Sequence, residues 1–182
     1  MSEMFPRRVF LRGLGVVAAA AALTACSSTN EAVNQALIEG AVGGIVAADC
    51  KIGRMTYWAA NATVPVNEIS FRIVMTNVSS KPVTLSGDNF ATTLDGTPIP
   101  PFNFSARDVG DADIWRTYDS LTIRPGEERS VALAYEISQP TYDSWYRSSR
   151  TVAVSFTCGN QRVTYTKNSR SDEITVSDIE TL

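Results

Sequence analysis

The chain has 182 residues, with 16 Lys and Arg against 19 Asp and Glu, and no histidine at all. Without an imidazole no Ser-His-Asp or Cys-His nucleophile can be assembled, no histidine can ligate zinc or copper, and the usual proton carrier near neutral pH is missing. A mildly acidic balance with no concentrated run of Lys and Arg also excludes the electrostatic grip that nucleic acid demands.

Residues 1–25 read as a secretory signal, with a basic start, a short apolar stretch and a small-residue end. Arg7, Arg8 and Arg12 supply the charge, and the apolar run over 13–25 falls short of the roughly 20 residues needed to cross a bilayer as a helix. Leu23-Thr24-Ala25-Cys26 resembles the bacterial lipobox, which implies that Cys26 takes a diacylglyceryl group and becomes the first residue of the mature chain. Arg7-Arg8-Val9-Phe10-Leu11-Arg12 resembles the twin-arginine export motif, with Arg7, Arg8, Phe10 and Leu11 in register and Pro6 where Ser or Thr is usual. General secretory export is the alternative. Acyl chains such as palmitate then hold the protein at the membrane, each buried methylene contributing about 0.8 kcal/mol.

The mature chain keeps 157 residues, the size of one ordinary domain, with 13 basic against 18 acidic side chains. Residues 26–48 read as the lipidated cysteine and a tether, beginning with the small polar Ser27-Ser28-Thr29-Asn30. This stretch is either a disordered linker or a short helix capped by Asn30 and ended by Gly40. From residue 49 to 167 the period becomes that of strands. Ile69, Phe71, Ile73 and Met75 alternate with Ser70, Arg72 and Thr76, and Val131, Leu133, Tyr135 and Ile137 line one side of a second strand. Val152, Val154 and Phe156 lead into Gly159-Asn160, which has the glycine-first order of a two-residue type II′ turn, and Val163 and Tyr165 return from it. Between the strands, Ser79-Ser80-Lys81-Pro82, Asp95-Gly96 and Arg124-Pro125-Gly126-Glu127 are turn chemistry. Residues 168–182 form a polar tail that is either an edge strand or a frayed end. The fold class expected is all-β, an antiparallel sandwich behind a signal peptide and a short tether.

The order Asn77-Val78-Ser79-Ser80-Lys81-Pro82, Asn89-Phe90, Asp95-Gly96, Leu121-Thr122-Ile123-Arg124-Pro125-Gly126-Glu127 and Tyr135-Glu136-Ile137 resembles the immunoglobulin-like domain of unknown function found in bacterial surface lipoproteins. That domain sometimes carries a misleading telomere-binding label. The resemblance covers roughly residues 50–166 and implies an immunoglobulin-like β-sandwich outside the membrane, with no catalytic residues to transfer.

With Cys26 lipidated, Cys50 and Cys158 remain, and an oxidising compartment with an even count favours a disulfide between them. Asp108, Asp111 and Asp113 put three carboxylates within six residues, a weak calcium pattern that lacks the distant bidentate Glu and is otherwise a solvated acidic loop. Tyr142, Trp145, Tyr146 and Arg147 lie together in a polar stretch. Exposed aromatics beside Arg make binding hot spots, and large aromatics also close the ends of sandwiches. Three Asn-X-Ser/Thr matches, at Asn61, Asn77 and Asn103, read as chance in a bacterial lipoprotein.

The expected function is a non-enzymatic, lipid-anchored, extracytoplasmic binding or adaptor module of a bacterial envelope. It is expected to need no cofactor, to meet the membrane through its lipid, to contact another envelope protein or component, and to leave nucleic acid alone. The alternative is a carrier or chaperone for a metal ion or small ligand, which the two mature methionines, Met55 and Met75, do little to support.

Overall fold

The structure is a computed structural model that describes residues 40–57, 63–99, 103–109 and 115–182. Within them the chain forms thirteen strands, β1 (Ile45–Tyr57), β2 (Val66–Asn77), β3 (Val83–Ser86), β4 (Phe90–Leu94), β5 (Thr97–Ile99), β6 (Asn103–Asp108), β7 (Arg116–Thr117), β8 (Ser120–Ile123), β9 (Glu128–Glu136), β10 (Thr151–Cys158), β11 (Gln161–Asn168), β12 (Ile174–Val176) and β13 (Glu180–Thr181). One short helix, α1 (Gln139–Ser144), lies between β9 and β10. All pairings are antiparallel. One sheet runs β1-β2-β9-β6-β7, the other runs β12-β11-β10-β4-β5 with β13 also on β11, and β3 and β8 form a separate ribbon.

Alternation along each strand builds the core. Ile69, Phe71, Ile73 and Met75 of β2 stand beside Val131, Leu133 and Tyr135 of β9. They meet Val152, Val154 and Phe156 of β10 and Val163 and Tyr165 of β11 in one buried cluster. Phe71 joins the two sheets, its ring centroid 5.7 Å from that of Tyr165 and 6.1 Å from that of Phe90. Each such side chain contributes roughly 1.5–3 kcal/mol by leaving water.

The turn residues take the backbone shapes their sequences demand. Asp95 and Gly96 both have positive φ, 52° and 79°, which makes the two-residue β4–β5 connection a type I′ turn. At the β10–β11 turn Gly159 has φ 61° and Asn160 is not in that region, the II′ pattern. Gly126, with φ 74°, takes the third position of a type II turn behind Pro125, closed by Glu127 N donating to Arg124 O at 2.9 Å.

Two boundaries differ from expectation. The sandwich starts before residue 49, because Val42 and Ile45 are buried and exchange backbone hydrogen bonds of 2.9 and 3.0 Å around the positive-φ pair Gly43-Gly44. The tail supplies two short edge strands, β12 and β13, that pair end to end along β11. They cover backbone groups that a free edge would otherwise expose to other chains.

Candidate functional site

The end of the sandwich formed by α1 and the turn after it gathers most of the candidate binding residues. Ser138 caps α1, its Oγ accepting from Thr141 N at 3.3 Å, and Pro140 sits in the first turn, where a missing N–H costs nothing. The helix stops after six residues, and the turn beyond it is tied down by Ser169, whose Oγ donates to Trp145 O at 2.5 Å and accepts from Arg150 N at 2.9 Å. Arg170 Nε donates to Tyr146 O at 2.6 Å, and its Nη2 donates to Arg147 O.

The aromatic residues separate by role. Trp145 is only 2% exposed and belongs to the core. Tyr142 is half-buried against that core, and Tyr146 is 55% exposed. Between the two tyrosines lies Arg54, contributed by β1, with its guanidinium 4.3 Å from the Tyr142 ring centroid and 5.0 Å from that of Tyr146. Its Nη1 also donates to Tyr142 O at 2.6 Å. A guanidinium over an aromatic face is worth about 0.5–2 kcal/mol, depending on how dry the site is. Arg147 is exposed, and its Nη2 donates to the carbonyl of Asp143 at 3.1 Å. Sequence reasoning missed Arg54 and Arg170, the two side chains that hold this cluster. Arg54 is 88 residues from Tyr142, and its only local signal is a cation in an otherwise mixed strand.

Further polar ties fix this end. Asn67 Nδ2 donates to Gln139 Oε1, and Thr56 Oγ1 to Asn67 Oδ1, both at 2.6 Å. The chain comes in at the other end, where Gly43 N donates to Gln161 Oε1 at 2.8 Å and Leu182 N donates to Asn160 O at 2.8 Å. Eight residues of β10 separate the two ends, roughly 27 Å at the usual strand rise.

The expected Cys50–Cys158 bond is absent, and both thiols are free. Cys158 ends β10 beside Gly43, its Sγ 3.8 Å from Gly43 O. Cys50 lies along β1 near Tyr165 and Lys167 of β11. Those residues are four and six positions from Gln161, the cross-strand partner of Cys158, so roughly 13–20 Å away along the strand. A disulfide needs Cα atoms within about 7 Å. Burial pushes the Cys50 thiol up to about 12 against the opposing pull of Lys167, and pushes Cys158 up as well, so neither forms a ready thiolate.

Of the weak calcium candidates, Asp108 is already engaged, ion-paired with Arg129 Nη1 while Arg129 Nη2 holds Glu127. Asp111 and Asp113 lie outside the described residues, as do Cys26 and Arg7, Arg8, Phe10 and Leu11 of the export motif. Among the described residues, no three His, Cys, Asp or Glu side chains group to hold a metal ion. A cavity of about 20 Å³ under β1, walled by Val42, Ile45, Phe156 and Tyr165, has room for about one water molecule. Asn77 is 0% exposed, so its Asn-X-Ser match serves the interior and offers no amide for modification.

No protein-family model and no curated protein matches this chain. Among solved structures it is similar to an uncharacterized β-sandwich protein from Clostridium difficile 630, at 15% identity over 68% of this chain and 83% of that one, TM-score 0.40. It is also similar to a functionally unknown protein from Listeria monocytogenes EGD-e, at 12% identity over 79% of this chain and 93% of that one, TM-score 0.38. A protein from Archaeoglobus fulgidus matches at 13% identity over 72% of this chain and 95% of that one, TM-score 0.33.

Proposed function

We propose that the protein is a lipid-anchored, extracytoplasmic binding or adaptor module of a bacterial envelope, built on an immunoglobulin-like sandwich and acting by contact rather than by chemistry. The fold reading is supported by strand order. The sheets β1-β2-β9-β6 and β4-β10-β11 follow the A-B-E-D and C-F-G orders of the seven-stranded immunoglobulin type. The anchor reading rests on the lipobox at Cys26 and the short apolar run before it.

The observation that carries the binding reading is the Arg54–Tyr142–Tyr146 stack. A tyrosine more than half exposed, braced by a guanidinium and flanked by Arg147, has the composition of an interface hot spot. Its backbone is pinned by Arg170, so little ordering entropy is spent on contact. The test is in-cell crosslinking with the anchored protein, its Cys26→Ala version and a Tyr146→Ala version. A partner recovered with the anchored form, and lost with Tyr146→Ala at unchanged protein level, supports the reading. Equal recovery with Tyr146→Ala removes the cluster from the binding surface, and release of Cys26→Ala from the membrane fraction checks the anchor separately.

A further inference from the structure

Hydrogen bonds at the two ends of β2 fix which neighbour each of its backbone groups faces. Asn77 N donates to Glu127 O at 3.0 Å, and Asn67 O accepts from Ile137 N at 2.9 Å, so the odd-numbered residues of β2 turn their N–H and C=O groups towards β9. The even-numbered residues bond to β1 instead, where their partners are Lys51, Gly53, Met55 and Tyr57. Ile52, Arg54 and Thr56 therefore turn their backbone groups to the free edge of the sheet. Ile52 O agrees with this, because it accepts from Lys167 Nζ, on the other sheet, at 2.8 Å. Among the described residues, the N–H and C=O of Arg54 and Thr56 form no hydrogen bond. Other edges are covered or short. β12 and β13 lie along β11, β3 and β8 have four residues each, β5 and β12 three, and β7 two, with Pro98 at the centre of β5. An open strand edge is a template for pairing with another chain.

We infer that the β1 edge from Ile52 to Thr56 takes an extended segment of a partner protein as an added strand, with an Asp or Glu of that segment beside Arg54. The inference rests on the binding reading proposed above and names its mode of contact. Main-chain bonds to Arg54 and Thr56 supply affinity, and the Arg54 side chain supplies selection. Arg54 shares its row with Ile69 and Tyr135 on the inner side of the sheet, and its guanidinium rests against Tyr142 and Tyr146. Among the described residues no carboxylate pairs with it. A carboxylate in the same row of an added strand is within reach of that guanidinium and completes an opposite-charge cross-strand pair. The same charge tells against a second copy of this chain, since two β1 edges paired antiparallel about Arg54 set guanidinium opposite guanidinium.

The test is in-cell photocrosslinking of the anchored full chain carrying p-benzoylphenylalanine in place of Lys51, alone and combined with Thr56→Pro, Thr56→Val or Tyr146→Ala. Proline at this position removes an edge N–H that the native sheet does not use, and valine removes the same hydroxyl while keeping the N–H. Thermal scans of the purified chains confirm that both variants are folded. The expected result is a crosslink to one partner protein, mapped by mass spectrometry to a segment with an Asp or Glu within a few residues of the attachment. Its yield is unchanged by Thr56→Val and falls about tenfold or more with Thr56→Pro, the scale of one or two lost main-chain hydrogen bonds. Exchanging the partner's acid for Lys loses the crosslink, and Arg54→Glu restores it. A yield that survives Thr56→Pro overturns strand addition, and a fall with Tyr146→Ala alone leaves the tyrosine surface standing without it. A fall with Thr56→Pro alone upholds the added strand and removes the tyrosine cluster. A crosslink within the chain or to a second copy, indifference to the acid-to-Lys exchange, or no crosslink at all overturns the inference.

Discussion

Asn77 offers the sharpest test of how this sandwich is held at the end where the chain comes in. Its backbone joins β2 to the turn before β9, with Asn77 N donating to Glu127 O at 3.0 Å and Gly126 N donating to Asn77 O at 2.8 Å. Its side chain, fully buried, ties a second turn to β8. Nδ2 donates to Lys81 O and to Ile123 O, each at 2.8 Å, and Oδ1 accepts from Ser79 N at 2.9 Å and Ser79 Oγ at 2.7 Å. Asn77→Ala removes all four side-chain bonds. The bond to the Ile123 carbonyl is buried, and orphaning that carbonyl costs about 1–3 kcal/mol. The other three are partly buried, water replaces them in part, and together they add about 1–2 kcal/mol. The sum is about 3 kcal/mol, a fall in Tm of about 6–12 °C for a domain of this size. Asn77→Asp keeps the acceptor for Ser79 but aims a second carboxylate oxygen at two carbonyls, so at pH 7 it destabilises more than Ala does. Urea titration followed by the fluorescence of buried Trp145 measures both. A loss below about 1 kcal/mol for Asn77→Ala, or an Asp variant more stable than the Ala variant at pH 7, refutes the view that this side chain joins the two turns.

Glu68→Gln is expected to raise stability at pH 7, because burial disfavours the charged carboxylate more than the nearby Arg72 favours it. The native Glu68 carboxyl is held above its ordinary 4.5, so its destabilising effect grows as pH rises from that value through the raised native one. The advantage of the variant therefore vanishes below about pH 4 in thermal scans, and an advantage that persists there removes ionisation as its cause. Asp95 works in the opposite direction. The Arg150 side chain, and then Thr151 N–H, hold it below its ordinary 3.8, so its contribution is present above that value and is lost as pH falls through the lowered one. Gly43→Ala puts a Cβ 2.5 Å from Cys158 Sγ at a φ of 58°, and is expected to cost about 3 kcal/mol from strain and overpacking. Gly96→Ala, with φ 79° and open space around it, costs only about 1–2 kcal/mol in the same denaturation assay. Cys50 and Cys158 are expected to resist a thiol reagent at pH 8 until the chain is unfolded. An intact mass 2 Da low without reduction reveals a disulfide and contradicts the thiol assignment.

How much of this was legible in the sequence depends on whether a residue's partner is close by in the chain. β2, β9 and the β10–β11 hairpin are visible because period-two alternation and a glycine-first turn are local signals, and a strand with one buried side must show them. The start of β1 is not, because Ala41, Val42, Ile45, Val46 and Ala47 are all buried, and a run apolar on both sides carries no period. In this Gly- and Ala-rich setting it reads equally well as tether or helix. α1 is too short at six residues to display a 3.6 period, and only its Ser138-Gln139-Pro140 start marks it.

The candidate site is assembled from residues that are remote in the chain. Tyr142 and Tyr146 are locally conspicuous, yet the arginine that braces them comes from β1, and Trp145 beside them is core because its position in the turn points inward. The facing positions Lys51–Arg72 and Glu68–Glu136 are invisible until register is known, since the two members of each pair lie on different strands. Even the error over Cys50 and Cys158 has this origin. Counting cysteines assumes that two leftover thiols meet, whereas a bulge in β1 between Ala48 and Lys51 and the length of β11 decide where each one lies.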